Sequence, residues 1–353
     1  MNRAQVAIFD QVGQPFRLAE RPLPERLGER QVLVRIALAT ICGSDLHTTD
    51  GRRQEPTPCV LGHEGVGTVI AAGVGREAWV GRRVSWTLAD SCGDCPACVE
   101  LELPQKCHHL YKYGHAALAD GSGLNGCFAS HILLRRGTHI VTVPEGMLDA
   151  MAAPANCALA TMVAATEQLP NPCRTAVIQG AGLLGLYGCA LLRARGVSRV
   201  VVVDAHPARL EKVTAFGGEP AEFSALNRLK VGESDFVVEA TGSPAVVPEG
   251  IRLLRPGGHY VFVGMVHPDT ALSLTGEAII RGCLTLRGVH NYAPRHLDAA
   301  LAFLSRERSL PWTELVSPPL PLSQIDRALA LAATRQWPRV SVAASDSENV
   351  SWL

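Results

Sequence analysis

In the middle of the chain, short apolar runs alternate with stretches whose apolar residues recur at helical spacing. In TAVIQGAGLLGLYGCALLRARGVSRVVVVDAHP, an apolar run from Ala176 to Ile178 enters a glycine turn and an apolar-faced helical stretch; a second run, Arg199 to Val203, ends on Asp204. That order predicts a βαβ unit. Further strand-like runs lie at Asp235 to Ala240 before Thr241-Gly242, at His259 to Gly264 after the turn Pro256-Gly257-Gly258, and at Leu284 to Gly288. With a helical stretch at Pro248 to Leu254 between them, they predict a doubly wound parallel sheet.

The first 150 residues read differently. They are rich in Gly and Pro and hold short β-type runs such as QVLVRIALAT and GVGTVIAAG, which predicts a mostly β domain with long loops. From about Ala293 two segments of helical period follow, HLDAALAFL and QIDRALALAA, before a polar tail, SDSENVSWL, expected to fray. No internal repeat is visible. The fold class is therefore α/β, a mostly β domain beside a doubly wound parallel sheet.

Composition narrows the function classes. Across 353 residues Lys+Arg and Asp+Glu are each 33, so the basic excess of a nucleic-acid-binding surface is missing and no nucleic-acid partner is expected. No apolar run reaches the 18 residues of a spanning helix, and the N-terminus lacks a secretory h-region. A cytoplasmic protein without a membrane partner is the expectation. The 11 cysteines should then be mostly thiols, and where they cluster they point to metal or catalysis.

Four of them, Cys92, Cys95, Cys98 and Cys107, fall in SCGDCPACVELELPQKC, a spacing that lets thiolates converge on one tetrahedral Zn²⁺. With sulfur at all four positions no place remains for water, so this reads as a closed, structural site. Upstream stand Cys42 in ICGSDLH and His63 in LGHEGVG. Asp45 is placed to accept the second ring N–H of His63, and Glu64 adds an oxygen that could enter the metal shell. A thiolate, an imidazole and room for one further ligand describe a catalytic zinc with a position open to substrate.

Gly180, Gly182 and Gly185 fill the G-x-G-x-x-G spacing between strand and helix, with Leu183 and Leu184 inside it. Asp204 follows Gly180 by 24 residues, at the expected distance for a carboxylate bonding a ribose 2′-OH. An acid there favours NAD over NADP. Arg209 is a second ribose contact or a solvated charge, while Thr241, Val263 and Gly264 at later strand ends complete the coenzyme set.

The order of Cys42, Gly62-His63-Glu64, CxxCxxC, GAGLLG and Asp204 resembles the zinc-dependent alcohol dehydrogenases of the medium-chain dehydrogenase/reductase family over nearly the whole chain. The resemblance implies a GroES-like catalytic domain from residues 1–157 and 292–353 and a Rossmann domain at 158–291. It also implies a third catalytic ligand, Cys157 in AAPANCALATMVAA, two zincs per chain, and a homo-oligomer, dimer or tetramer. Eight residues separate Cys98 from Cys107 where many members have seven, so the lobe has one residue to absorb.

The mechanism implied is hydride transfer between a small alcohol, or its aldehyde or ketone, and NAD. Ser44 resembles the hydroxyl that takes the alcohol proton, and His47 the residue that passes it to solvent. LPQKCHHLYKYGHAAL resembles, more narrowly, the alcohol dehydrogenases associated with phosphonate catabolism. A hydroxyalkyl phosphonate would need cationic partners, for which Arg52, Arg53, Lys112, His115, Arg287 and His290 are candidates. A polyol, a threonine-like amino alcohol or a simple primary alcohol remains open. A non-catalytic nucleotide-binding protein on the same fold should have lost a ligand or Asp204, and neither loss is present.

Overall fold

The computed structural model describes residues 3–119, 121–224, 230–266 and 270–344; the tail expected to fray lies outside them. The chain divides into two compact units. One comprises Met1–Cys157, Ala293–Arg308 and Trp312–Leu353; the other, Ala158–Tyr292 and Ser309–Pro311.

In the first unit the run VLVRIALATI becomes the strand Val32–Ile41, buried along nearly its whole length. It pairs antiparallel with Glu64–Ala72, with His131–Leu134 along its start, and with Val340–Ala343 along its end. The main path of this sheet runs Ile140–Thr142, Arg83–Trp86, Glu64–Ala72, Val32–Ile41, Val340–Ala343, Leu320–Pro321. Trp86, Phe128 and Ile132 fill the core, joined by Ile325, Ala328 and Leu329 of the helix Ile325–Ala333. Register is what matters for function. Thr40 lies opposite Glu64, so the chain just past the first strand, at Cys42, meets the chain just before the second, at His63.

The second unit is built on a six-stranded parallel sheet, ordered Glu219–Glu222, Arg199–Asp204, Thr175–Gln179, Ser234–Glu239, Leu254–Phe262, Thr285–Gly288. Its central strands are buried along nearly their whole length, as a covered parallel sheet requires. Strand order reverses between Thr175–Gln179 and Ser234–Glu239. The turn expected at Pro256 to Gly258 lies inside a strand rather than before it. Ser234 pairs with Leu254 and Phe236 with His259, so the intervening residues bulge outward, with Gly257 at φ +74°. Among the described residues no helix is long and apolar enough to cross a membrane.

Phe236 is fully buried in this sheet. Phe236→Ala is expected to cost the second unit about 3–5 kcal/mol, seen as a lowered unfolding transition in differential scanning calorimetry.

Candidate active site

Cys42 caps the helix Gly43–Thr49, where Asp45 reaches back to accept its backbone N–H at 2.8 Å. The other oxygen of Asp45 accepts the N–H of Gly62 at 3.2 Å, so one buried carboxylate fastens the helix start to the Gly62-His63-Glu64 turn. The sequence placed Asp45 as hydrogen-bond partner of His63. His63 Nδ1 stands 3.6 Å from Asp45 Oδ1, an ion-pair distance, while the same carboxylate accepts the two backbone donors. The effect is electrostatic. Burial disfavours a charged imidazole, but Asp45 and the Cys42 sulfur outweigh it and hold the His63 pKa well above its ordinary value.

Cys157 follows the 3₁₀ turn Ala153–Asn156, and Asn156 ties that turn down by donating to the carbonyls of His63 and Trp86 at 3.1 and 3.0 Å. Ligand atoms of Cys42, His63, Glu64 and Cys157 all lie within 4.8 Å of one another. The hydrogen bond from Cys157 keeps the Cys42 thiol well below its ordinary pKa against the effect of burial, with Arg339 and His63 adding to it. Cys157, sharing its proton, is raised correspondingly.

Arg339 and Thr40 drew no notice in the sequence, yet both bear on this cluster. The Arg339 guanidinium grips Glu64 through both oxygens at 2.9–3.2 Å and reaches Cys42 Sγ at 3.6 Å. The Thr40 hydroxyl donates to Glu64 Oε2 at 2.6 Å. Glu64 therefore sits among the donors with its carboxylate already engaged. Burial pushes its pKa up to about 7 while Arg339 pulls against it.

Ser44 and His47 share one face of the helix, three residues apart and half-buried. Three of the six cations proposed for substrate are paired. Arg52 pairs with Asp50; Arg53 pairs with Glu55 at 2.5 Å, and Glu55 also faces His115 Nδ1 at 3.0 Å. The His115 ring lies 5.1 Å from that of His63, and burial lowers its pKa. Lys112 is half-buried and makes no ion pair among the described residues; burial and Arg53 lower its pKa. Arg287 and His290 belong to the second unit.

The four clustered cysteines converge too. Their sulfurs stand 3.3 Å (Cys92–Cys107), 3.6 Å (Cys95–Cys98), 3.8 Å (Cys95–Cys107) and 4.0 Å (Cys92–Cys98) apart. A zinc–sulfur bond of about 2.3 Å gives a tetrahedral edge of about 3.8 Å, so the spacing suits one ion and is far too long for disulfides. Backbone N–H groups from His108 and Cys98 hold Cys95 down to about 6. In the segment with the additional residue, Glu102 takes φ +53°.

In the second unit Gly180, at φ +112°, turns the chain out of its strand, and Gly182 caps the helix Leu183–Ala194. A Cβ on Gly185 would stand 1.8 Å from the Gly180 carbonyl oxygen, so helix and turn approach as closely as a dinucleotide site needs. Asp204 Oδ2 accepts the Ala181 N–H at 2.9 Å and lies 3.5 Å from Arg209 Nη1; Oδ1 accepts the His206 N–H at 2.8 Å. Arg209 is thus an ion-pair partner of Asp204.

Residues 28–145 match the alcohol dehydrogenase GroES-like domain and residues 184–306 the zinc-binding dehydrogenase domain. The chain is 30% identical over 320 residues to glucose 1-dehydrogenase of Thermoproteus tenax, covering 85% of this chain and 87% of that protein. The chain belongs to the zinc-dependent alcohol dehydrogenases of the medium-chain dehydrogenase/reductase family. This dehydrogenase is also 27% identical to L-threonine 3-dehydrogenase of Bacillus subtilis, over 92% of the chain and 93% of that protein. A crystal structure of an alcohol dehydrogenase from Thermotoga maritima matches it with a TM-score of 0.89 at 28% identity, covering 97% of this chain and 99% of that one.

Removing the partner of the buried Glu64 leaves a charge without compensation. Arg339→Ala in this dehydrogenase is expected to cost about 3–5 kcal/mol in chemical denaturation of the first unit.

Proposed function

We propose that the enzyme transfers hydride between a small alcohol, or its aldehyde or ketone, and NAD, with one zinc held by Cys42, His63 and Cys157 and a second by Cys92, Cys95, Cys98 and Cys107. The observation that carries the reading is the convergence of two thiols and an imidazole within 4.8 Å, while Glu64 beside them is held by Arg339. Three N/S donors with a fourth place open is the donor set of a catalytic zinc, and four thiols that of a structural one. When bound, zinc supplies Lewis acidity to the substrate oxygen and NAD the hydride acceptor.

The chain's own residues do the rest. Asp45 fixes the backbone at Cys42 and Gly62, and the hydrogen bond from Cys157 lowers the Cys42 pKa, in the direction that suits a thiolate ligand. Ser44 Oγ takes the alcohol proton, and His47, on the same helix face, passes it outward. Asp204 supports NAD, since its carboxylate suits a ribose 2′-OH and repels a 2′-phosphate.

For substrate we propose a hydroxyalkyl phosphonate, supported by the 103–118 stretch and by Lys112, a cation without an ion pair among the described residues. A polyol or amino alcohol is the second reading, favoured by the glucose and threonine dehydrogenases among the relatives. Relative kcat/KM for 2-hydroxyethylphosphonate, threonine, sorbitol and ethanol separates the two.

Cys42→Ala or His63→Ala is expected to lower zinc by one equivalent per chain and reduce kcat at least 10³-fold, while leaving NADH binding near wild type; elemental analysis and fluorescence titration check this. Normal turnover by a zinc-free preparation would overturn the assignment. Asp204→Gly should raise the KM for NAD about tenfold or more and narrow the preference against NADP, in steady-state kinetics with both coenzymes.

A further inference from the structure

The second unit holds a buried acid that the proposed chemistry does not use. Glu239 ends the strand Ser234–Glu239 and is 0% exposed. Its Oε1 accepts the N–H of Thr241 at 2.6 Å, the N–H of Gly242 at 2.7 Å and the hydroxyl of Thr241 at 2.8 Å. Its Oε2 accepts the N–H of Gly264 at 3.1 Å, and its backbone carbonyl accepts the N–H groups of Val263 and Gly264. Four donors thus point at its two oxygens, three at Oε1 and one at Oε2.

One carboxyl group thereby fastens two loops at the carboxyl ends of neighbouring strands. The loops also meet backbone to backbone, since a Cβ on Gly264 would stand 2.5 Å from the Gly242 nitrogen. Dinucleotides cross such a sheet where strand order reverses. Asp204 lies on one side of that point and the Gly180 turn in the middle. A dinucleotide with its adenosine at Asp204 would reach, with its nicotinamide half, the ends of Ser234–Glu239 and Leu254–Phe262 on the other side of the reversal.

We infer that Glu239 is a positioning residue for the nicotinamide half of the coenzyme: it sets the Thr241-Gly242 and Val263-Gly264 loops and fixes a negative charge beneath the ring. The inference rests on the dinucleotide reading. Its consequence is selectivity between redox states. The oxidised ring is cationic and the reduced ring neutral, so a buried carboxylate favours NAD⁺ relative to NADH, whereas a purely structural brace favours neither.

The test uses the full-length zinc-loaded enzyme and its Glu239→Gln and Glu239→Asp variants, with dissociation constants for NAD⁺ and NADH measured by calorimetry and fluorescence. Glu239→Gln is expected to weaken NAD⁺ about tenfold more than NADH, and Glu239→Asp, which keeps the charge, to weaken both alike. Equal losses for both coenzymes in Glu239→Gln, or no loss in either, would overturn the inference. A wild-type protein that binds neither coenzyme would instead overturn the dinucleotide reading beneath it. Amide hydrogen exchange of the wild type tests the placement without any variant. NAD⁺ should protect 239–243 and 262–265 while ADP-ribose, lacking the ring, leaves them unchanged; equal protection by both overturns the placement.

Discussion

Two backbone donors compete for nothing in the candidate centre, because Asp45 takes both. It accepts from Cys42 with one oxygen and from Gly62 with the other, and it is fully buried while doing so. A buried carboxylate with fewer partners would be costly. Satisfied in this way, it converts the Thr40–Glu64 register into a fixed separation between a thiol and an imidazole 21 residues apart in sequence. Asn156 does the same for the third segment through the carbonyls of His63 and Trp86. Backbone bonds thus set the spacing of the three segments that carry the donors.

The two sulfur-rich clusters solve different problems. Cys92, Cys95, Cys98 and Cys107 lie in one short stretch, so turns alone bring them together, and Cys95 opens the helical turn Pro96–Val99. Cys42, His63 and Cys157 come from segments that only a completed sheet aligns. The local cluster suits a lobe that needs a staple; the dispersed one suits a site whose geometry must follow the fold.

How much could be read in advance follows the same division. Most parallel-sheet strands were legible as apolar runs, and the glycine turn with Asp204 as a spacing; the edge strand Glu219–Glu222, EPAE and largely exposed, was not, because it carries no apolar signal. Four nearby cysteines were equally plain. Cys157 emerged only through family resemblance, because a lone thiol after Asn156 carries no local pattern. Arg339 and Asn156 were invisible, since their partners lie 275 and 93 residues away and nothing in the local sequence marks either side chain as paired. Asp45 was found beside His63, but its two backbone bonds to Cys42 and Gly62 were not, since no spacing marks which N–H groups a carboxylate will accept. The Pro256 to Gly258 turn was seen as punctuation and proved to be a bulge, because the neighbouring strand pairs on both sides of it.

Arg339 also has a consequence in time. During synthesis Cys42, His63 and Glu64 leave the ribosome long before the residue that neutralises Glu64 has been translated. Until then Glu64 lacks its counter-ion, and Val32–Ile41 lacks the neighbouring strand Val340–Ala343 that completes the sheet beside it. The centre therefore closes late, and a nascent or truncated chain lacking Arg339 carries the donors without the clamp that orders them.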